Sequence, residues 1–146
     1  MVLGILKESG SENRVAMLPV EVSVAKKSGI EVVIEKGAGE RAFASDYDYL
    51  NSGASSGTRQ EVIEKSDLLL SVNPLLDDDI TRFRKGQVLC SVLNPAENRE
   101  WLEKARLQGL TVLVDEAVAV RVLPPGCAEK LPGLFRVVSL TGQFFI

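Results

Sequence analysis

From Lys7 to Arg14 the chain reads Lys-Glu-Ser-Gly-Ser-Glu-Asn-Arg, a concentration of charged and polar groups directly after the apolar run Val2 to Leu6. Arg14 offers a rigid, planar fork of N–H donors suited to a carboxylate or phosphate, and Lys7 adds a second cation. If Val2 to Leu6 is the first strand of an open α/β sheet, these residues stand at its C-terminal end, where such sheets bind ligands. Asn73 and Asn94 follow two further apolar runs and belong to the same rim. A solvated loop in which Lys7 pairs with Glu8 or Glu12 accounts for the same composition, since exposed pairs of that kind contribute little.

The chain contains no histidine. Histidine triads, imidazole general bases and histidine-ligated zinc are therefore excluded, and two distant cysteines, Cys90 and Cys127, make no four-cysteine zinc site. Any chemistry must come from carboxylates, Lys, Arg, Tyr or Cys, or from a cofactor or a second protein. Acting alone, the chain is not expected to turn over a substrate.

Two other clusters invite a functional reading. Gly37-Ala38-Gly39-Glu40-Arg41-Ala42 matches G-x-G-x-x-A, but that fingerprint needs a helix starting within the turn and an acid ending the next strand. Residues 40–46 show no helical apolar face, and Asp67 precedes the next apolar run, so the glycines are read as turn geometry. Asp77-Asp78-Asp79 suits the first turn of a helix through the helix dipole. Adjacent carboxylates on a helix diverge, so no metal site is expected.

Five short apolar runs, Val2 to Leu6, Ile30 to Glu35, Leu68 to Val72, Gln87 to Leu93 and Thr111 to Asp115, read as buried strands. Between them the spacing predicts helices. One runs from Pro19 or Val20 to Ser28, with Val20, Val24 and Ala25 inward and Gly29 as its stop. A short one starts at Asp77 and ends before Lys85-Gly86. The best-marked, Pro95 to Gln108, has Asn94 as its cap, Trp101, Leu102, Ala105 and Leu107 inward, and Gly109 as its stop. Residues 46–65 hold two short helices around a turn over Ser52 to Gly57. Alternating strands and helices joined by short loops give an α/β class: three layers around a mostly parallel sheet, flavodoxin-like or Rossmann-like.

With 146 residues, 45% hydrophobic and 25% charged, the chain is sized for one globular domain. A net charge of −3 and no basic block argue against nucleic acid. No apolar stretch reaches membrane-span length, so direct insertion is not expected. The cysteines read as reduced thiols, which suits the cytoplasm. After Asp115 the helix–strand pattern decays into Pro- and Gly-containing sequence with an apolar end, Leu134 to Ile146, that lacks a covering element.

Several motifs in fixed order carry a resemblance. Gly4-Ile5-Leu6-Lys7-Glu8, Glu12-Asn13-Arg14-Val15-Ala16 with Pro19, Gly37-Ala38-Gly39, Leu70-Ser71-Val72-Asn73-Pro74-Leu75-Leu76-Asp77-Asp78, Gly86-Gln87 and Asn94-Pro95-Ala96-Glu97-Asn98 resemble the N-terminal region shared by alanine dehydrogenase and the α subunit of proton-translocating NAD(P) transhydrogenase. The resemblance covers about residues 1–118, leaving 119–146 as a divergent or truncated tail. In alanine dehydrogenases the arginine matching Arg14 binds the substrate carboxylate, and a lysine and a histidine stand where this chain has Asn73 and Asn94. Asparagine supplies no acid or base for amino-acid oxidation. The Val72-Asn73 and Pro-Ala-Glu-Asn features resemble the transhydrogenase branch instead.

The resemblance implies one wall of an NAD(H) cleft, with Arg14, Lys7 and Asn73 giving it polarity. There, hydride passes between NAD(H) and NADP(H), coupled to proton movement. It also implies that most of the cofactor site lies outside this chain, because the family's arginine-rich nicotinamide segment and G-x-G-x-x-G subdomain are absent and Arg121 falls out of register. The implied partners are a second copy in a homodimer and a membrane-embedded β subunit with its NADP(H) domain, placing the chain in the cytoplasm, peripheral to the inner membrane. Two alternatives stay open: a non-catalytic assembly or binding domain, and a degenerate alanine dehydrogenase-like domain.

Overall fold

Apolar runs too short for a helix and bounded by turn residues become strands, and the stretches between them fold back as helices. The computed structural model describes residues 1–114. In chain order the elements are β1 (Val2–Ile5), α1 (Pro19–Lys27), β2 (Glu31–Glu35), a 3₁₀ turn (Glu40–Ala42), α2 (Asp46–Asn51), β3 (Ser55–Gly57), α3 (Arg59–Lys65), β4 (Leu68–Ser71), α4 (Asp77–Ile80), β5 (Val88–Ser91), α5 (Arg99–Gln108) and β6 (Thr111–Val114). The six strands form one sheet in the order β3-β2-β1-β4-β5-β6, and every neighbouring pair is parallel. The expected α/β class and its Rossmann-like form are borne out.

Register follows from alternation along β1. Leu3 and Ile5 point to one face, where they join Val22 of α1, Ile34 of β2 and Tyr49 of α2. Leu6 points to the other, with Val62 and Ile63 of α3, Leu69 and Leu89, and Trp101 and Ala105 of α5. Two separate cores thus sandwich the sheet, which explains why its strands lack an exposed polar face.

Five expectations are corrected. The turn over Ser52 to Gly57 contains a sixth strand, β3, which pairs with β2 at the sheet edge; its sequence Ser-Ser-Gly has no apolar run, and only the neighbouring backbone recruits it. In α1, Val20 and Val24 are exposed, whereas Val22 is fully buried. The helix has apolar residues on both sides, so docking against the sheet chose its phase.

Helix α5 begins at Arg99, not Pro95. Asn94 caps a separate turn: its side-chain oxygen accepts the Ala96 N–H at 2.9 Å, and its carbonyl accepts the N–H groups of Glu97 and Asn98. Leu107, expected inward, is exposed, while Trp101 and Ala105 are buried as expected. The helix predicted after Asp77 stops at Ile80. Gly29 and Gly109 end their helices with φ of +79° each, as glycine stops do.

Cys90 lies half-buried in β5. Expectations for Asp115, Arg121, Cys127, the tail 119–146 and the apolar end 134–146 fall outside the described residues. Among the described residues no helix is long and apolar enough to cross a membrane.

Candidate functional site

In this strand order the winding reverses between β1 and β4, and parallel sheets open a crevice at the carboxyl ends of the strands where that happens. The loops leaving β1 and β4 therefore face each other, and Glu8 joins them. Its carboxylate accepts the backbone N–H of Val72 at 2.6 Å and that of Asn73 at 3.0 Å. Ser71 Oγ lies 3.4 Å from the same carboxylate and donates to the Asn73 carbonyl at 2.6 Å. Glu8 is only 7% exposed, and these donors take the place of water around its carboxylate. The expected pairing of Lys7 with Glu8 or Glu12 does not form; Lys7 Nζ stands 3.8 Å from Glu40 instead.

A second anchor lies beneath. Helix α3, capped by Thr58, whose side chain accepts the Glu61 N–H, presents Arg59 at its first position. Arg59 Nε and Nη2 hold Asp79 at 2.7–3.1 Å, while Nη1 donates to Glu35 at 2.8 Å and to the Lys7 carbonyl at 3.0 Å. Glu35 also accepts the Lys7 N–H at 2.8 Å. Burial alone would lower the Arg59 pKa, but the Asp79 and Glu35 carboxylates outweigh it and the net shift is upward. This trio fixes where the chain leaves β1 and locks α4 to the same point.

The loop itself has further ties. Gly10 adopts φ +65°, a left-handed conformation that only glycine takes without strain. Arg41, from the 3₁₀ turn, donates through Nη1 to the carbonyls of Gly10 at 2.5 Å and Glu12 at 3.2 Å. Tyr49 OH donates to the Met17 carbonyl at 2.8 Å, closing the loop where α1 begins. Burial, then the charges of Glu21 and Asp46, push the Tyr49 hydroxyl up to about 12.

Within this frame Arg14 grips Glu12. Its Nε and Nη2 donate to the two carboxylate oxygens at 2.9 and 2.7 Å, and its backbone N–H donates at 2.9 Å. These bonds hold the Glu12 carboxyl at a pKa of about 2, well below the usual carboxylate range.

An open cleft of about 630 Å³ is lined by Ser9, Gly10, Ser11, Glu12, Asn13, Arg14 and Asn73. Of the residues expected on this rim, Arg14 and Asn73 line the cleft, whereas Lys7 and Asn94 lie outside its lining. The Gly37–Gly39 turn does not fit a pyrophosphate. A Cβ on Gly39 would fall 2.5 Å from the Tyr49 ring and 2.6 Å from the Ala44 carbonyl, so protein fills the space, and a 3₁₀ turn follows rather than an α-helix. The acidic triplet diverges: Asp79 turns in to Arg59 and Asp77 pairs with Lys104.

Sequence reasoning missed Glu8, Glu35, Arg41, Arg59 and Asp79 as organisers of this region. Arg41 and Asp79 lay inside motifs already noted; Glu35 and Arg59 carry no local signal, because their partners are 20 or more residues away.

Residues 4–122 match the model of the alanine dehydrogenase/PNT N-terminal domain. The chain is 33% identical over 143 residues to the NAD(P) transhydrogenase subunit alpha of Haemophilus influenzae, covering 97% of this chain and 27% of that protein. It is 34% identical over 120 residues to the alanine dehydrogenase of Mycolicibacterium smegmatis, covering 81% and 32%. Among solved structures, transhydrogenase from Sinorhizobium meliloti superposes with a TM-score of 0.76 at 32% identity, over 80% of this chain and 35% of that one. An L-alanine dehydrogenase superposes at 0.75 and 30% identity, over 80% and 32%. The chain thus spans about a third or less of the length of these relatives.

Proposed function

The chain belongs to the alanine dehydrogenase/PNT N-terminal domain family, and on that premise we propose that its cleft forms one wall of an NAD(H) site. The activity served would be that of a transhydrogenase α subunit, with hydride exchanged between NAD(H) and NADP(H) and coupled to proton translocation. A bound nicotinamide would supply the hydride chemistry; this chain's residues bind, orient and enclose.

One observation carries the reading: among the described residues, the cleft at the strand reversal offers binding groups but no proton-transfer group. Its lining has one cation, Arg14, and one acid, Glu12, whose pKa of about 2 leaves it no role as acid or base near neutrality. Hydride exchange needs alignment rather than a protein acid or base. Arg14 and Asn73 are the groups proposed to hold the cofactor, with Lys7 contributing charge from just outside the cleft lining. The glycine turn is not part of the site, which accords with a cofactor site lying mostly outside this chain.

A homodimer, and a membrane-embedded β subunit with its NADP(H) domain, are the proposed partners, on the cytoplasmic face and peripheral to the inner membrane. We place the end of the family domain near residue 118. A second reading, a degenerate alanine dehydrogenase-like domain that binds a small carboxylate through Arg14, is favoured by the equal similarity to that branch.

Calorimetric titration of the 146-residue chain separates them. NADH binding tighter than about 1 mM, worth roughly 4 kcal/mol, supports the cofactor wall. Pyruvate binding that is lost in Arg14→Ala, with no NADH binding, favours the second reading. No binding of either overturns both and leaves an assembly role.

A further inference from the structure

An exposed arginine that is meant to receive an anion is weakened if its side chain wanders, and Arg14 is tied to a neighbouring carboxylate. Glu12 takes three donors from it, the backbone N–H, Nε and Nη2, at 2.7–2.9 Å. The asymmetry of exposure is informative. The Glu12 side chain is 15% exposed and that of Arg14 is 71% exposed, so the carboxylate is set into the loop while the guanidinium projects. The backbone under Glu12 is itself clamped, because Arg41 holds the carbonyls of Gly10 and Glu12.

Glu12 uses the Nε–Nη2 edge of the guanidinium; no hydrogen bond from Nη1 forms among the described residues. A guanidinium grips oxyanions bidentately through either its side edge or its Nη1–Nη2 end. The side-chain amide of Asn73, in the same cleft lining, is likewise without a partner among the described residues, while its backbone is pinned by Glu8.

We propose that Glu12 is a positioning residue, a built-in carboxylate that fixes Arg14 by its side edge and reserves the Nη1–Nη2 end for an oxyanion of the bound ligand. The inference rests on the cleft being a ligand site, as proposed above, and adds the direction of approach and the part played by Glu12. A gate that the ligand must push aside would have the reverse consequence: removing the Glu12 charge would then tighten binding.

The test uses the full chain, its Glu12→Gln and Glu12→Asp variants, and arginine Nε–H resonances followed by NMR. In the ligand-free wild type the Arg14 Nε–H exchanges slowly; in Glu12→Gln its exchange rises roughly three- to fivefold, the equilibrium effect of losing one well-aligned exposed ion pair. Pyruvate and inorganic phosphate, titrated separately to distinguish carboxylate from phosphate, bind more weakly to Glu12→Gln by a similar factor. Glu12→Asp keeps the charge without the reach and stays weak.

Tighter binding by Glu12→Gln overturns the brace, as does binding equal to wild type or failure of both anions to bind wild type. NADH titrated in parallel separates the two levels. NADH bound equally by wild type and Glu12→Gln leaves the cofactor reading standing and overturns the brace. Absence of NADH binding, with small-anion binding weakened in Glu12→Gln, does the reverse.

Discussion

Glu8 Oε2 accepts the backbone N–H of Asn73 at 3.0 Å, across 65 positions of sequence. That bond, with its companion to Val72, is what makes the loops after β1 and β4 two sides of one cleft. Replacing Glu8 with Ala leaves both N–H groups without their acceptor, at a cost of about 2–4 kcal/mol. A urea midpoint unchanged from wild type would contradict this; the expected result is a lower midpoint with faster hydrogen exchange at Val72 and Asn73.

Arg59→Leu strips the cation from Asp79 and Glu35, two mostly buried carboxylates. Uncompensated buried charge costs about 3–5 kcal/mol. Arg59→Lys retains the charge but not the fork, so it should recover only part of the loss. Denaturant curves on the three proteins give the ranking directly.

Two glycines separate two physical reasons for glycine. At Gly39 the backbone is ordinary, but an added methyl meets Tyr49 and Ala44, so Gly39→Ala should lose about 1–3 kcal/mol by overpacking. At Gly10 nothing lies within 4 Å of an added methyl, and Gly10→Ala should lose only about 1 kcal/mol, the cost of a left-handed backbone. Melting temperatures that reverse this order would refute the assignment.

Alkaline stability should report Tyr49. Its folded-state pKa of about 12 stands above the ordinary value of 10. The folded state therefore holds the proton more tightly, so the contribution is complete below pH 10 and is lost as pH rises toward 12. Tyr49→Phe loses the bond to Met17, about 1 kcal/mol, and should flatten that alkaline fall when stability is compared at pH 9 and pH 11.

Glu12 makes the opposite case. Its folded-state pKa is about 2 against an ordinary 4.5, so the pairing with Arg14 persists as pH drops below 4.5 and is lost only as pH falls through about 2. The Glu12 side-chain carboxyl carbon shift should stay flat from pH 7 to pH 4 in wild type, and titrate near the ordinary carboxylate value in Arg14→Ala. A wild-type titration near 4.5 would show that Arg14 does not hold this carboxylate in solution.

The α/β class, the parallel sheet and five of its strands could be read in advance, because strands covered on both faces leave unbroken apolar runs such as Leu68-Leu69-Leu70, a local signature. The turn role of Gly37 and Gly39 and the stops at Gly29 and Gly109 were equally legible, since backbone conformation is a near-neighbour property. The lack of histidine was legible too, because composition belongs to the sequence and not to the fold. Tertiary structure decided the rest. Ser55–Gly57 became a strand only because β2 offered it a partner, and Val22 rather than Val20 faced the core only because α1 had to dock in one phase. Glu8, Arg59 and Asp79 look in sequence like any surface charges. Whether a charge is solvated or buried depends on donors and acceptors that the fold delivers from 20 to 65 residues away, a distance over which local pattern holds no information.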